Sequence, residues 1–191
     1  MDAAILDDTR GRALLLPGGI KTIETATGTR PVGFNAFWLR GTPRTLEILQ
    51  DLGFIYHIDD VSRDEPFLVS VWNKPFAVVP YTIHTNDIVN YEGRHWTSAQ
   101  FASELKYEFD LLYAEAATRR RMMSVSAHDR IAGRPARTRA LEEFIVYAQK
   151  QPGVVFLRKD LIARFALESS ATPREGSLIQ RPAGSLRGPR I

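Results

Sequence analysis

The residues Met122–Ala127 form a run of apolar and small side chains that ends abruptly in the polar triplet His128–Arg130. Directly afterwards, Gly133–Pro135 turns the chain into an amphipathic helical pattern. This order predicts a buried strand whose carboxyl end carries an imidazole and a carboxylate. In parallel sheets, side chains that handle ligands collect at the carboxyl ends of the strands. The pattern therefore indicates an α/β fold with a candidate site at this strand end.

Strand-like apolar runs and helical patterns alternate along most of the chain. Strands are predicted at 30–34, 54–56, 67–69, 76–81, 122–127 and 153–157, and helices at 17–27, 43–52, 97–117, 136–149 and 161–167. Pro17 and Pro43 are placed at helix starts, and Thr42 is the expected cap of the second helix. This alternation predicts an α/β fold with a parallel sheet. The length of 191 residues indicates one domain.

Composition excludes several classes of protein. The formal net charge of +3 includes no dense basic stripe with interleaved aromatics, so we expect no nucleic-acid partner. There is no cysteine, which removes disulfides and zinc-thiolate sites and fits a cytoplasmic location. No apolar run reaches the roughly 20 residues of a membrane span, and the acidic N-terminus is not typical of a secretory signal. The Ser, Pro, Gly and Arg bias of residues 169–191 predicts a disordered tail after a domain at 1–168.

Three segments carry a resemblance to a known family, namely 30–38, 79–87 and 122–130 with the turn at Gly133–Pro135. In order and spacing they resemble the polysaccharide deacetylase family with its NodB-homology domain, near the allantoinase-like branch. The similarity runs from about Gly19 to about Glu168. The resemblance implies a distorted (β/α) barrel and hydrolysis of a non-peptide C–N bond, typically an N-acetyl amide on a sugar.

The resemblance also implies a divalent metal such as zinc, held by an aspartate and two histidines in a His-x-x-x-His arrangement. This sequence has no such arrangement; its histidines are His57, His84, His95 and His128. The matched region starts after the point where the metal motifs belong. We therefore expect no cofactor in this chain, and a partial barrel that lacks the N-terminal strands of the family fold. The pair Asp7-Asp8 does not follow a strand-like run and is given little weight.

By position, His128 corresponds to the late strand-end histidine of the family. The resemblance implies a general acid that protonates a leaving amine, a role for which an imidazole is suited near neutral pH. The alternative is a histidine satisfied by a local carboxylate such as Asp129. Asp87 is expected to orient His128 or a water molecule, and Asn86 to bind substrate. The alternative for Asn86 and Asp87 is an Asx-turn that caps the loop.

Further substrate contacts are predicted for Asn35, Trp38, Tyr81, Asp129 and Arg134. Asn35 occupies the place where many family members carry an arginine that orients the catalytic aspartate, and it brings no charge. The aromatic side chains form either a wall for a small ring or part of the core. Arg134 is primarily part of a turn into a helix. His57, His84 and His95 are predicted to be loop or surface residues.

Three functions remain open from the sequence. The first is a polysaccharide deacetylase-like amide hydrolase acting on a carbohydrate or small-molecule amide, incomplete alone because the metal-binding half is absent. The second is a metal-independent hydrolase of a small cyclic amide, as in the allantoinase-like branch. The third is a non-catalytic remnant or partner-binding module. An incomplete barrel leaves apolar surface uncovered, so this last reading predicts a homo-oligomer or a complementing chain.

Overall fold

The computed structural model describes residues 9–175, with side chains from residue 15 onward, so the pair Asp7-Asp8 lies outside the described residues. In chain order the elements are α1 (Thr9–Thr27), β1 (Gly33–Phe34), α2 (Thr45–Asp51), β2 (Tyr56–His57), β3 (Phe67–Val71), β4 (Lys74–Val78), α3 (Ser98–Glu115), α4 (Asp129–Ala132), α5 (Pro135–Gln149) and α6 (Lys159–Glu168). Short 3-10 turns lie at Phe37–Leu39 and Ile83–Thr85, and a π-helical turn lies at Ile88–Gly93.

The four strands form one sheet in the order β1-β2-β4-β3. β1 runs parallel to β2, and β2 runs parallel to β4. β3 is antiparallel to β4, because the two-residue turn Trp72-Asn73 returns the chain directly and leaves no room for a crossover helix. Both turn residues have positive φ angles of 49° and 62°, as a type I′ hairpin requires. The predicted α/β class with a mainly parallel sheet is confirmed.

Within the described residues, the backbone divides into two compact units. Unit 1 comprises residues 9–59, 66–79 and 159–175 and contains the sheet with α1, α2 and α6. Its core is a cluster of buried apolar side chains: Ile20, Leu49, Phe54, Phe67, Val69, Val71, Phe76 and Val78. Burial of such side chains is the main stabilising term for a unit of this kind.

Unit 2 comprises residues 60–65 and 80–158 and is mainly helical. Its α3 and α5 pack against one another around a second apolar cluster: Tyr91, Phe101, Leu105, Phe109, Ile131, Phe144 and Ala148. The long helix predicted at 97–117 is confirmed. It starts with a capping box in which the Thr97 side chain accepts from the backbone of Gln100, and the Gln100 side chain accepts from the backbone of Thr97.

Several predicted helix details are wrong. α1 continues through Pro17 instead of starting there. α2 starts at Thr45, with Arg44 as its N-cap residue and no side-chain cap, and the Thr42 backbone N–H donates to the Thr45 hydroxyl at 2.7 Å. In α5, the sequence pattern placed Ile145 toward the core, but Ile145 is exposed and Phe144 is buried. The predicted stop of α2 is confirmed at Gly53, where φ is +81°.

The strands predicted at 122–127 and 153–157 are not regular strands. The first makes one isolated bridge, between Ser126 and Asn86, and the second belongs to no ladder in the described part of the chain. An apolar run becomes a strand only where neighbouring backbone supplies a ladder. The backbone at Pro173 and Glu175, within the predicted disordered tail, is hydrogen-bonded to β3. Leu68 N donates to Pro173 O at 2.8 Å, and Glu175 N donates to Leu68 O at 2.8 Å. Residues 176–191 lie outside the described residues.

No helix among residues 9–175 is both long enough and apolar enough to cross a membrane.

Candidate functional site

The candidate site lies in unit 2, where the extended segment 122–127 runs beside the loop that follows β4. The hydroxyl of Thr85, which is fully buried, lies 3.0 Å from Thr82 O and 2.5 Å from Ser124 O. Ser124 N donates to the Thr82 hydroxyl at 3.1 Å, and Asp87 N donates to Ser126 O at 3.0 Å. These bonds hold together two segments that are distant in sequence, as expected for neighbouring strand ends.

The best-defined pair in the site is formed by Asp87 and His128. Asp87 Oδ1 lies 2.6 Å from His128 Nδ1, and Asp87 Oδ2 accepts from His128 N at 2.7 Å. Asp87 is fully buried, whereas the side chain of His128 is 42% exposed. Since an ionised carboxylate only accepts hydrogen bonds, Nδ1 carries the proton in this arrangement. Nε2 is then the ring nitrogen that can exchange a proton with a bound molecule.

His128 is held at this place by the start of α4. It is the N-cap residue of that helix, with extended φ and ψ angles of −95° and 136°. Its carbonyl accepts from Ile131 N at 3.0 Å and from Ala132 N at 2.8 Å, and Ile131 is buried in the core of unit 2. The imidazole is therefore anchored on its backbone side by the helix and on its ring side by Asp87.

One helical turn beyond Asp87, the phenol of Tyr91 lies in the apolar core of unit 2. Burial raises the pKa of Tyr91 above its ordinary value of 10.0, and the negative charge of Asp87 acts in the same direction. The guanidinium of Arg137 lies 4.1 Å from the centre of the Tyr91 ring. Tyr91 therefore stays neutral at physiological pH and adds no charge beside Asp87.

Asn86 uses its side chain within the loop. Its Nδ2 donates to the hydroxyl of Tyr81 at 2.5 Å, and its Oδ1 accepts from Ile88 N at 3.0 Å. The second contact is the Asx-turn that was the alternative interpretation of this residue. The structure thus brings Tyr81 and Asn86 together beside Asp87.

Asp129 and Arg134 lie farther along the same segment and are exposed. Asp129 Oδ1 accepts from Arg130 N at 2.6 Å. The alternative in which Asp129 satisfies His128 is wrong, because the ring of His128 pairs with Asp87. Arg134 is the N-cap residue of α5, and its carbonyl accepts from the backbone of Arg137 and Thr138.

Asn35 and Trp38 belong to unit 1, whereas Asp87 and His128 belong to unit 2. Asn35 Nδ2 donates to Asp59 Oδ1 at 3.3 Å, and the same oxygen accepts from Ala36 N at 2.9 Å. Trp38 is 63% exposed and has a left-handed backbone with φ 54°. Its ring meets that of Phe37 edge to face, with centroids 5.9 Å apart. Packing in the core, the alternative interpretation of Trp38, is therefore wrong.

The prediction for one of the other histidines is also wrong. His57 is a buried residue of β2, where its Nδ1 accepts from Asp59 N at 3.3 Å and its ring lies 6.0 Å from that of Phe76. The sequence did not indicate that His57 is buried, because the burial of a β2 side chain depends on how β2 pairs with β4. His84 pairs with Glu108 at 3.0 Å, and His95 is exposed.

The residues described here do not fit the metal-ligand set that the resemblance implies. Among residues 9–175, no group of three or more histidine, aspartate or glutamate side chains is placed to hold a metal ion. The carboxylate and imidazole of the candidate site are engaged with one another at 2.6 Å. The chemistry that we propose for the Asp87–His128 pair therefore involves only side chains of this chain.

Gly133 is a further requirement of the site, because it closes the short helix that starts at His128. A Cβ at this position would lie 2.2 Å from the carbonyl oxygen of Asp129. We expect Gly133→Ala to lower the free energy of unfolding by about 1–3 kcal/mol, since backbone atoms must move to relieve the overlap. Urea denaturation measures this loss, and the amide resonance of His128 reports the accompanying shift of the turn.

Gly93→Ala is the matched control for this prediction. It lies in the same unit, and the nearest atom to its added Cβ is Ile88 O at 3.9 Å, an ordinary contact. We expect its effect to stay within about 1 kcal/mol. Equal stability of the two variants would contradict the prediction.

Comparison with known proteins identifies the class to which this geometry belongs. No protein-family model matches the chain. It is 37% identical to a crystal structure of a probable polysaccharide deacetylase from Pseudomonas aeruginosa PAO1, with a TM-score of 0.76 over 84% of this chain and 55% of that one. It is 35% identical to the crystal structure of Puue allantoinase, with a TM-score of 0.75 over 82% of this chain and 53% of that one.

A curated protein of Schizosaccharomyces pombe, named "Putative polysaccharide deacetylase", is 28% identical over an alignment of 131 residues that covers 62% of this chain and 41% of the relative. The fold is part of the (β/α) barrel seen in polysaccharide deacetylases. These relatives together indicate the polysaccharide deacetylase family, with an allantoinase among the similar structures. It spans about half the length of these relatives.

Proposed function

We propose that the chain contributes a proton-donating site to the hydrolysis of a non-peptide C–N amide bond, with a carbohydrate amide as the substrate. The observation that carries this proposal is the contact of 2.6 Å between buried Asp87 and half-exposed His128. Polysaccharide deacetylases are among the relatives, which supports a sugar amide as substrate.

In this proposal water adds to the amide carbonyl carbon, forming the new C–O bond and releasing one proton to solvent. The protonated ring of His128 then gives its Nε2 proton to the leaving nitrogen as the C–N bond breaks and the carboxylic acid forms. A leaving amine needs this proton, because an amide anion is too basic to depart unprotonated. The Nδ1 proton stays on the ring, and Asp87 stabilises the positive charge while it holds the ring in place. We propose substrate contacts for Tyr81, Asn86, Asp129 and Arg134, and separately for Asn35 and Trp38 of unit 1.

The test is acetate release from N-acetylglucosamine oligomers by the purified chain, with and without added zinc, and titration of the same oligomers by calorimetry. The proposal expects binding of the oligomers, and acetate release that depends on His128. His95→Asn is the matched control, because His95 is an exposed histidine with a φ of 56° that asparagine tolerates. Absence of both binding and acetate release would refute the proposal.

Hydrolysis of a small cyclic amide is the second candidate, supported by the 35% identity to Puue allantoinase. The same Asp87–His128 pair would protonate the ring nitrogen that leaves when the cyclic amide opens. Ring opening of allantoin in the presence of a chelator separates the two candidates. Turnover of allantoin that survives chelation, without acetate release from the oligomers, would favour the cyclic amide.

A complementing chain or a second copy of this chain is also proposed. It is supported by Val155, Phe156 and Leu157 in unit 2, three consecutive apolar residues that are 72%, 55% and 52% exposed. Light scattering coupled to size exclusion tests this, and a strictly monomeric protein that captures no second chain would refute it. A cytoplasmic location is supported by the absence of cysteine; cell fractionation tests it.

A further inference from the structure

The turn that directly follows Asp87 has an unusual geometry. Residues Ile88–Gly93 form a π-helical turn, and Asn90 lies fully buried in its middle. Such turns are rare and occur often beside functional sites. A buried asparagine is costly unless its amide is hydrogen-bonded, so the partners of Asn90 indicate why this residue is there.

The side-chain amide of Asn90 is bonded to the loop that carries Asp87. Its Nδ2 donates to His84 O at 2.7 Å and to Asn86 O at 2.9 Å. Its Oδ1 accepts from Arg94 Nη1 at 3.2 Å. Both side-chain donors therefore hold carbonyl groups that lie within three residues of Asp87.

The backbone of Asn90 joins the same network. Its N–H donates to Asn86 O at 3.3 Å, and its carbonyl accepts from Trp96 N at 3.0 Å. Trp96 packs against the apolar core of unit 2. Asn90 thus connects the loop before Asp87 to the core, in a stretch where the backbone has no regular ladder to hold it.

We propose that Asn90 is a positioning residue that holds the carboxylate of Asp87 in register with the ring of His128. This inference rests on the proposed function of that pair. Asn90 touches neither group through its side chain, and it acts by fixing the carbonyls of His84 and Asn86. Without those two bonds, the carbonyl groups of His84 and Asn86 lose the side-chain donor that holds them. The loop is then free to shift, and the contact of 2.6 Å between Asp87 and His128 lengthens.

The chemistry of the amide separates positioning from simple packing. Asn90→Leu keeps the same number and branching of side-chain heavy atoms, in a somewhat larger volume, but removes both donors. Asn90→Gln keeps both donors at the end of a chain that is one methylene longer. If Asn90 only fills space, the Asp87–His128 contact will survive in Asn90→Leu. If Asn90 positions the loop, that contact will be lost in Asn90→Leu and partly kept in Asn90→Gln.

The readout is the tautomer of neutral His128, measured from the nitrogen shifts of its ring by NMR. In the wild-type chain the proton resides on Nδ1, because Asp87 accepts there. We expect Asn90→Leu to lose the Nδ1–H signal of His128, Asn90→Gln to retain part of it, and the exposed His95 to stay unchanged in both. A positional error of about 1 Å costs about 100-fold in rate, so hydrolysis is expected to fall by up to that factor in Asn90→Leu.

Asp87→Asn is the positive control, because it removes the charged acceptor itself. If Asp87→Asn loses the signal and Asn90→Leu keeps it, the role of Asn90 is overturned while the proposed function stands. If the wild-type chain has no Nδ1–H signal, the proposed pair fails. Should Asn90→Leu not fold, Arg94→Met is used, because Arg94 is exposed and donates to Asn90 Oδ1. A weakened signal in that variant supports the role, and an unchanged signal overturns it.

Discussion

Replacing His128 by glutamine is expected to lower the rate of amide hydrolysis by about 10²–10⁴-fold, the usual contribution of a general acid. Glutamine has an amide N–H that can still donate to Asp87, but it cannot supply a transferable proton near neutral pH. The chemical step should therefore suffer more than substrate binding. The measurement is kcat and KM for the substrate that the purified chain turns over.

His95→Asn is expected to leave the rate unchanged, because His95 is exposed and lies outside the Asp87–His128 pair. His128→Gln should also retain most of the stability of the parent, since His128 is partly exposed and Asp87 keeps its bond from His128 N at 2.7 Å. A loss of less than about threefold in kcat would rule out the general-acid role, which is worth far more than that.

The second large effect concerns the core of unit 2. Phe101 on α3 is fully buried, and its ring lies 5.1 Å from that of Tyr91, which belongs to the turn after Asp87. We expect Phe101→Ala to lower the free energy of unfolding by about 3–5 kcal/mol, because it removes a large apolar side chain and leaves a cavity. Urea denaturation followed by circular dichroism measures the loss.

Tyr107→Ala on the same helix is the control for helix propensity, because Tyr107 is 75% exposed. Its effect is expected to stay within about 0.5 kcal/mol, as for other surface substitutions. Phe101→Ala should also broaden the resonances of the turn at Ile88–Gly93, since Tyr91 loses its packing partner. Similar losses in the two variants would show that unit 2 does not depend on this cluster.

Much of the fold could be predicted from local patterns. The helix at α3 followed from apolar residues repeated every three or four positions, and its observed bounds agree with the prediction. The parallel pairing of β1 with β2 followed from the helix predicted between them, whereas β2 and β4 are parallel with only β3 between them in the chain. The antiparallel return of β3 was not predicted, because it depends on positive φ angles at both Trp72 and Asn73, and a tryptophan rarely adopts one.

The candidate site was predictable only in part. Asp87 and His128 were singled out because each follows an apolar run, and the structure places them in contact. Asn90 and His57 were missed, because an asparagine in a turn or a histidine in a short strand has no local signature of burial. Both are buried in the folded chain, at 0% and 7% exposure.

The sequence by itself determined that the chain forms an α/β fold and that polar residues follow its apolar runs, since both follow from hydrophobic periodicity over a few residues. Only the tertiary structure decided that Asp87 meets His128, 41 residues later, and not the adjacent Asp129. It also decided that residues 122–127 make one bridge instead of a ladder. The physical reason is that hydrogen bonding and burial depend on neighbours brought together by the fold, which no local pattern specifies.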